Sequence, residues 1–443
     1  MNHFIFKGVL LACCIIVTPT VHGQDDLSNL RKALEQMRGE YEARIYALEQ
    51  RLAAAEEKSA HQVVSAVEPV AANASVGSNV FNPSMSIIFL GQAWAYGNDP
   101  ETYTIPGFPL GGESGPVAEG FSLGETEIDI FANVDDKFTA WLTVPVVIED
   151  GDTVVEIEEA WIETLSLPAG VSARFGRMFS NVGYLNEKHA HTWDFVDQPL
   201  AYKAFMGGQY IDDGARLSWV APTNLYFELG GEIMRGDRYP FAGAGNSGFG
   251  AHTLHARLGG DVGFSHSWQA GVSYLSGESR QRESGDEDDP LLFTGDTDVW
   301  VAEFVWKWSP NGNWRARNFK FQFEYLQRSE NGMYLLSDGQ ELPWNTDQDG
   351  WYAQAVYQFL PQWRVGARIE ALSGDDPGTA FDGTALALAD SSPSRYSLMA
   401  DWSNSEFSRL RMQYTRDQAG ETDDHQWGLQ YILSIGAHGA HSF

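Results

Sequence analysis

Phe319-Lys320-Phe321-Gln322-Phe323-Glu324-Tyr325 is the stretch that decides the fold. Rings occupy one parity and polar groups the other, the period of two that a pleated strand imposes by pointing successive side chains to opposite faces. The alternation recurs in Trp351, Ala353, Ala355, Tyr357 and Phe359 against Tyr352, Gln354 and Gln358. It recurs again in Trp363, Val365, Ala367, Ile369 and Ala371 against Arg364, Arg368 and Glu370, and in Leu225, Phe227, Leu229 and Ile233 against Tyr226, Glu228 and Glu232. Followed outward in both directions, the period holds from about Met85 to the chain end and predicts about sixteen strands.

A soluble sandwich alternates in the same way, so the connections carry the decision. Short turns at Asp135-Asp136, Leu167-Pro168-Ala169, Pro222-Thr223, Gly263-Phe264-Ser265, Pro361-Gln362 and Ser403-Asn404-Ser405 interleave with long connections at 97–120, 180–212, 235–249, 277–296, 329–349 and 374–393. An even strand number with short turns at one end and long connections at the other is the layout of a transmembrane barrel. The expected fold is all-β: a 16-stranded antiparallel transmembrane β-barrel over 81–443, with both barrel ends on the short-turn, periplasmic side.

The rest of the sequence agrees. The chain has 443 residues, with 60 acidic against 29 basic side chains and a net charge of −31. That balance excludes a nucleic-acid partner, which needs a basic patch. The 15 Trp, 17 Tyr and 25 Phe exclude a disordered acidic chain. Residues 1–23 read as a signal peptide: Lys7 supplies the positive start, the apolar run from Gly8 to Val17 is far short of the roughly 20 residues of a spanning helix, and Val21-His22-Gly23 forms the cleavage site. Cys13 and Cys14 both lie in it; a lipoprotein signal ending at Cys13 is the alternative reading. In 24–58, Leu27, Leu30, Leu34, Met37, Tyr41, Ile45, Leu48, Leu52 and Ala55 form a heptad seam with one stutter. The seam predicts a periplasmic coiled-coil helix that pairs with copies of itself, tethered by a flexible linker over 59–80.

The last residue, Phe443, ends a strand carrying Trp427, Leu429, Tyr431, Leu433 and Ile435 on one parity, which is how outer-membrane proteins present themselves to their assembly machinery. With these features the chain resembles the trimeric outer-membrane porins of Gram-negative bacteria, especially the phosphate-selective porin-like families with an N-terminal coiled coil. The most recognisable segment is GRMFSNVGYLNEKHAHTWDFVDQPLAYKAFMGGQYIDDGARLSW at 176–219. It also resembles a group often labelled zinc-regulated or TonB-dependent outer membrane receptors. True TonB-dependent receptors have about 22 strands and a plug, and the N-terminal segment here is too short to make one. The resemblance implies a homo-oligomer, preferably a trimer, in the outer membrane. It also implies a constriction loop at 180–212, with Tyr184, Glu187, Asp194 and Asp197 as its candidate residues.

A sixteen-stranded barrel encloses an aqueous channel, whose selectivity follows from diameter and lining charge. Inward parity gives Arg216, Arg257, Lys307, Lys320, Arg364, Arg368, Arg395, Arg409 and Arg411 against Glu127, Asp129, Glu228, Glu232, Glu303, Glu324, Glu370 and Asp401, a nearly balanced lining. Arg364, Arg368, Arg409 and Arg411 are expected to form a basic wall facing the acidic loop, with a transverse field between them. The excess acid falls in the long connections, predicting an acidic extracellular rim that attracts cations or bridges through divalent ions to lipopolysaccharide. The expected function is passive diffusion of small hydrophilic solutes or ions, with mild cation preference. The alternative is a metal-associated or substrate-specific uptake protein. No cofactor is required by this reading. The sharpest local chemistry, His189-Ala190-His191 followed by Asp194, suits weak binding of zinc or another divalent cation; the competing reading has the histidines hydrogen-bonded within a packed loop. No GxSxG elbow, phosphate-cradling Gly loop or HExxH helix is present, so an enzyme is not expected.

Overall fold

The computed structural model describes residues 83–436, apart from 113, 150–151, 244–248, 287–288 and 390–391. The signal peptide, the coiled coil, the linker and Phe443 lie outside the described residues. Eighteen strand segments form one antiparallel sheet. Its last strand pairs with its first, from Ser86↔Gly436 to Ala95↔Trp427, so the sheet closes on itself.

Two of the barrel's staves are interrupted, which reduces the eighteen segments to sixteen staves. In chain order they are β1 (Ser84–Ala95), β2 (Gly120–Leu123 and Thr126–Asn133, both paired with β1), β3 (Phe138–Glu149), β4 (Asp152–Val155 and Glu159–Thr164, both paired with β3), β5 (Val171–Phe179), β6 (Ile211–Val220), β7 (Tyr226–Met234) and β8 (Ala251–Val262). There follow β9 (His266–Asp286), β10 (Asp289–Trp308), β11 (Asn318–Leu335), β12 (Glu341–Leu360), β13 (Trp363–Gly374), β14 (Ser394–Ser405), β15 (Ser408–Asp417) and β16 (Asp424–Gly436). One helix, α1 (Leu200–Met206), lies in the connection between β5 and β6.

Closure pairs the first strand with the last, so neither is left as a free edge, and the alternation sorts the faces as expected. Leu217, Trp300, Leu398 and Trp427 are large apolar side chains left exposed on the outer surface, whereas Gln322, Glu324 and Arg411 on the other parity are fully buried. Such an outer face is stable only in a hydrocarbon environment.

Two of the expected long connections are not loops. The segments 277–296 and 329–349 continue the sheet: β9 pairs with β10 as far as Asp286↔Asp289, and β11 with β12 as far as Leu335↔Glu341. These hairpins are closed by a small apolar cluster of Phe293, Tyr334, Trp344, Phe381 and Leu386. Beneath it Arg282 donates to Glu330 at 2.6 Å and to the Tyr334 hydroxyl at 3.1 Å. The acids concentrated in 277–296 and 329–349 had masked the alternation that carries the strands onward. Several acids of the long-connection end also hold backbone rather than face water: Asp424 accepts from Gly97 N and Asn98 N at 2.7 and 2.9 Å, and Asp212 from Gly236 N at 2.7 Å.

The sorting of faces makes a quantitative prediction. Leu398 sits near the middle of β14 on the outer face and is 61% exposed. Leu398→Arg is expected to destabilise the barrel by about 2–4 kcal/mol in denaturant unfolding from lipid vesicles; a stability unchanged from the native chain would contradict the assignment of this face to lipid.

Candidate functional site

The connection 180–210 does not lie over the barrel end; it folds into the interior, and inward side chains from most of the strands hold it there. Near its start, Ser180 Oγ and Asn181 N donate to Glu232 on β7, at 2.5 and 2.9 Å. Arg257 on β8 donates to Gly183 O at 2.7 Å and to Glu303 on β10 at 2.8 Å. Glu324 on β11 accepts from Tyr184 N at 2.7 Å and the Tyr202 hydroxyl at 2.9 Å. Arg216 on β6 grips Glu187, Glu232 and the Phe179 carbonyl.

The second half of the connection is pinned by charge. Asp194 receives Lys320 Nζ and Arg364 Nη1, each at 3.0 Å. Asp197 receives Arg368 Nη2 at 2.7 Å, Gln413 Nε2 at 2.8 Å and the Arg395 guanidinium. Arg411 donates to the carbonyls of Phe195 and Trp193 at 3.0 and 2.7 Å. Burial opposes ionisation of Asp194 and Asp197, but the adjacent cations outweigh it and hold both carboxyls well below the usual carboxylate range. Lys203 has the opposite balance. Burial, reinforced by the Arg395 charge, lowers its ammonium to about 8.

Apolar packing completes the seating. Leu200, Ala201, Tyr202, Ala204, Phe205 and Met206 are all buried, and Phe205 meets Phe108 from the connection 96–119 with ring centroids 6.2 Å apart. Each large side chain so buried is worth about 1.5–3 kcal/mol. Gly350 on β12 makes room for the helix, because a Cβ there would come within 2.8 Å of Ala201 Cβ and 2.9 Å of the Phe205 ring.

These contacts correct the expected lining. Arg216, Arg257, Lys320, Glu324, Arg364, Arg368 and Arg411 point into the barrel as the parity indicates, but they are sockets for the inward connection rather than walls of open water. Arg409 lies beside the Arg364–Asp401 pair with its Nε unbonded among the described residues, and Glu228 faces His255 at 3.6 Å. Arg364 and Arg368 of the expected basic wall contact the loop acids Asp194 and Asp197 directly.

The connection does not fill the barrel. A cavity of about 460 Å³ lies between the connection and the strands β16, β1, β2, β3 and β4, beside the points where His189 and His191 touch Glu159 and Glu127. Gln430, Trp94, Pro145 and Val147 line it, with Glu125, Glu156, Glu158 and Asp197 as acids and Lys203 and Arg238 as bases.

The expected metal ligands divide. His189 and His191 lie side by side, ring centroids 5.7 Å apart, while Asp194 is taken by Lys320 and Arg364 in a different group. The carboxylates that reach the histidines come from the strands: His191 Nδ1 is 2.9 Å from Glu127, and His189 Nε2 is 3.1 Å from Glu159. Glu158 and Glu159 are neighbours in sequence yet both turn inward, because β4 is interrupted between Val155 and Glu159 and the break resets the pleat. Three acids in Glu156-Ile157-Glu158-Glu159 fit no strict alternation, and this was the available signal.

Two predictions follow from the pinning. Asp197→Asn leaves the Arg368 and Arg395 guanidiniums short of their shared anion, and breaking one side of a buried pair costs about 3–5 kcal/mol; the variant should unfold at lower denaturant and expose 180–210 to protease. The acid response has a definite sign. Because both aspartates ionise below the roughly 3.9 of an unfolded Asp, the stability they contribute is complete above that range and is lost as pH falls through their folded values. Protease protection of 180–210 should therefore persist at pH 5 and fail only below about pH 4; loss of protection near pH 6 would contradict the assignment.

No family model matches the chain. An uncharacterized protein of Aquifex aeolicus (strain VF5) is 31% identical over 354 residues, 75% of this chain and 72% of its own length. Among solved structures, a loop L8 deletion mutant of OmpT, an outer membrane protein of Vibrio cholerae, superposes with a TM-score of 0.51 at 10% identity, over 81% of this chain and 100% of that one. The outer membrane channel DcaP of Acinetobacter baumannii gives 0.50 at 15% identity, over 83% and 100%. At those identities the likeness is one of fold, a closed antiparallel barrel of the porin type. The sequence relationship reaches further than fold, and the chain belongs to the same family as the uncharacterized Aquifex aeolicus protein.

Proposed function

We propose that the chain is a porin-like channel of the outer membrane, passing small hydrophilic solutes or ions by passive diffusion, with 180–212 as its constriction. One observation carries this reading: the inward connection does not fill the barrel, and a cavity of about 460 Å³ remains along the strands from β16 to β4. A segment seated to fill the interior has no reason to leave a cavity, lined by apolar side chains with several ionisable groups among them, along the five strands from β16 to β4. The exposed apolar outer face supports a membrane position, and the solved barrels of similar fold are described as an outer membrane protein and an outer membrane channel.

In this reading the permeant path runs past Glu125, Glu156 and Glu158 on the wall and Lys203 and Arg238 on the loop side, an acidic excess that favours cations. The reading includes assembly as a homo-oligomer, preferably a trimer, through the N-terminal heptad seam and the barrel. It includes recognition of Phe443 by the barrel assembly machinery and contact of the acidic rim with lipopolysaccharide.

Planar-bilayer recording on the purified chain tests it. Stepwise conductance is expected, with a reversal potential in a salt gradient that indicates mild cation preference. Glu156→Lys should move that potential toward anions, because the side chain lines the cavity wall. Absence of conductance steps, or strong anion selectivity in the native chain, would overturn the reading.

A further inference from the structure

Three side chains from three separate segments each aim one atom at a single point beside the cavity. His189 Nδ1 lies 3.3 Å from Glu127 Oε2 and 3.3 Å from Glu158 Oε2, and the three atoms fall within 4.8 Å of one another. None of the three has a hydrogen-bond partner among the described residues. Yet Glu127 is fully buried and His189 is only 9% exposed. Buried polar atoms are nearly always satisfied, and leaving one unsatisfied costs about 1–3 kcal/mol. Three such atoms meeting at one point are satisfied either by a proton on Nδ1 shared between the two carboxylates or by a bound cation.

The surrounding contacts fix how the atoms are presented. His189 Nε2 is 3.1 Å from Glu159 Oε2, and the other Glu159 oxygen accepts from Trp161 Nε1 at 3.1 Å and from Phe179 N at 3.4 Å. With the imidazole proton on Nε2 toward Glu159, the Nδ1 lone pair faces Glu127 and Glu158, the form in which a metal would be bound. His191 Nδ1, 2.9 Å from Glu127 Oε1, occupies that carboxylate's other oxygen and turns Oε2 toward the same point. A ligating imidazole backed by a carboxylate is the recurring outer-shell arrangement of protein metal sites.

We propose that Glu127, Glu158 and His189 form a divalent metal site of the zinc class in the barrel wall, with Glu159 and His191 as positioning residues. Metal–ligand bonds of about 2.0–2.2 Å in a tetrahedron set ligand separations of about 3.3–3.6 Å, which the two 3.3 Å distances match. Two carboxylates neutralise the ion, and the imidazole selects a transition metal over calcium, which takes six to eight oxygens at longer range. Glu158 is itself on the cavity lining, next to Glu125, which gives an ion a route to the site from the lumen. The site stands whether or not the barrel conducts. It keeps one of the two histidines expected from the sequence as a ligand, and replaces Asp194 with two strand glutamates.

Calorimetry with zinc chloride on the full chain in detergent tests the site. One saturable equivalent per chain is expected, weakened at least tenfold in Glu127→Gln and in Glu158→Gln, and unchanged in Asp423→Asn at an exposed acid elsewhere. Glu159→Gln, which removes only the partner of Nε2, should weaken binding about 10–100-fold. No saturable binding, or the same affinity in Glu127→Gln and Glu158→Gln as in the native chain, overturns the proposal. X-ray absorption of the zinc-loaded native chain supplies a reading independent of variant folding. One imidazole nitrogen in an otherwise oxygen shell supports the site; none, or two or more, overturns it.

Discussion

The ion pairs that Asp194 and Asp197 make with the far wall are the constraint on which the rest of the interior depends. A carboxylate withdrawn from water into a protein interior is retained only when paired. These two are paired four times over, by Lys320 and Arg364 and by Arg368 and Arg395. With those contacts made, the connection between β5 and β6 is tied to β11, β13 and β14, α1 is carried onto β12 where Gly350 admits it, and a cavity is left along the strands from β16 to β4. The balance of lumen charges therefore serves position before it serves permeation: cations that would otherwise attract anions from solution are occupied by the loop's own acids.

The barrel was legible because its determinant is local. Period-two alternation in segments such as 319–325 and 363–371 needs no knowledge of partners, and the inward parity of Glu127, Arg216, Glu324, Arg368 and Asp401 could be read from it directly. Where the sequence misled, a second demand competed with alternation. In 277–296 and 329–349 the density of acids resembled loop composition, yet the strands continue and are closed by Phe293, Tyr334 and Trp344. Around Glu125 and Glu156–Glu158 the staves break, so residues of both parities turn inward and a strict alternation puts Glu158 on the wrong face.

The interior was legible only in part, because it depends on which distant residues meet. The acidity of 180–212 and the basic character of β13 and β15 were apparent, but a gap between them and a direct contact between them have the same sequence. The same applies to His189 and His191. Their spacing announced a polar cluster, while the carboxylates that complete it are 30 and 64 residues away, at Glu159 and Glu127. The acid excess of the chain likewise divides into uses that composition merges. Some carboxylates hold loop backbone, as Asp424 does for Gly97 and Asn98, some hold the inward connection, and others line the cavity.

Cysteine accessibility separates the two sides of the barrel most directly. In a chain with Cys13 and Cys14 replaced by serine, Val147→Cys places a thiol on the β3 wall of the cavity, and Val356→Cys places one on β12, buried against Phe195 and Met399. A charged methanethiosulfonate reagent should modify the first rapidly and reduce the single-channel current, and leave the second unmodified in the folded protein. Rapid modification at Val356 with protection at Val147 would mean that the open path runs along the other wall, and would contradict this account of the interior.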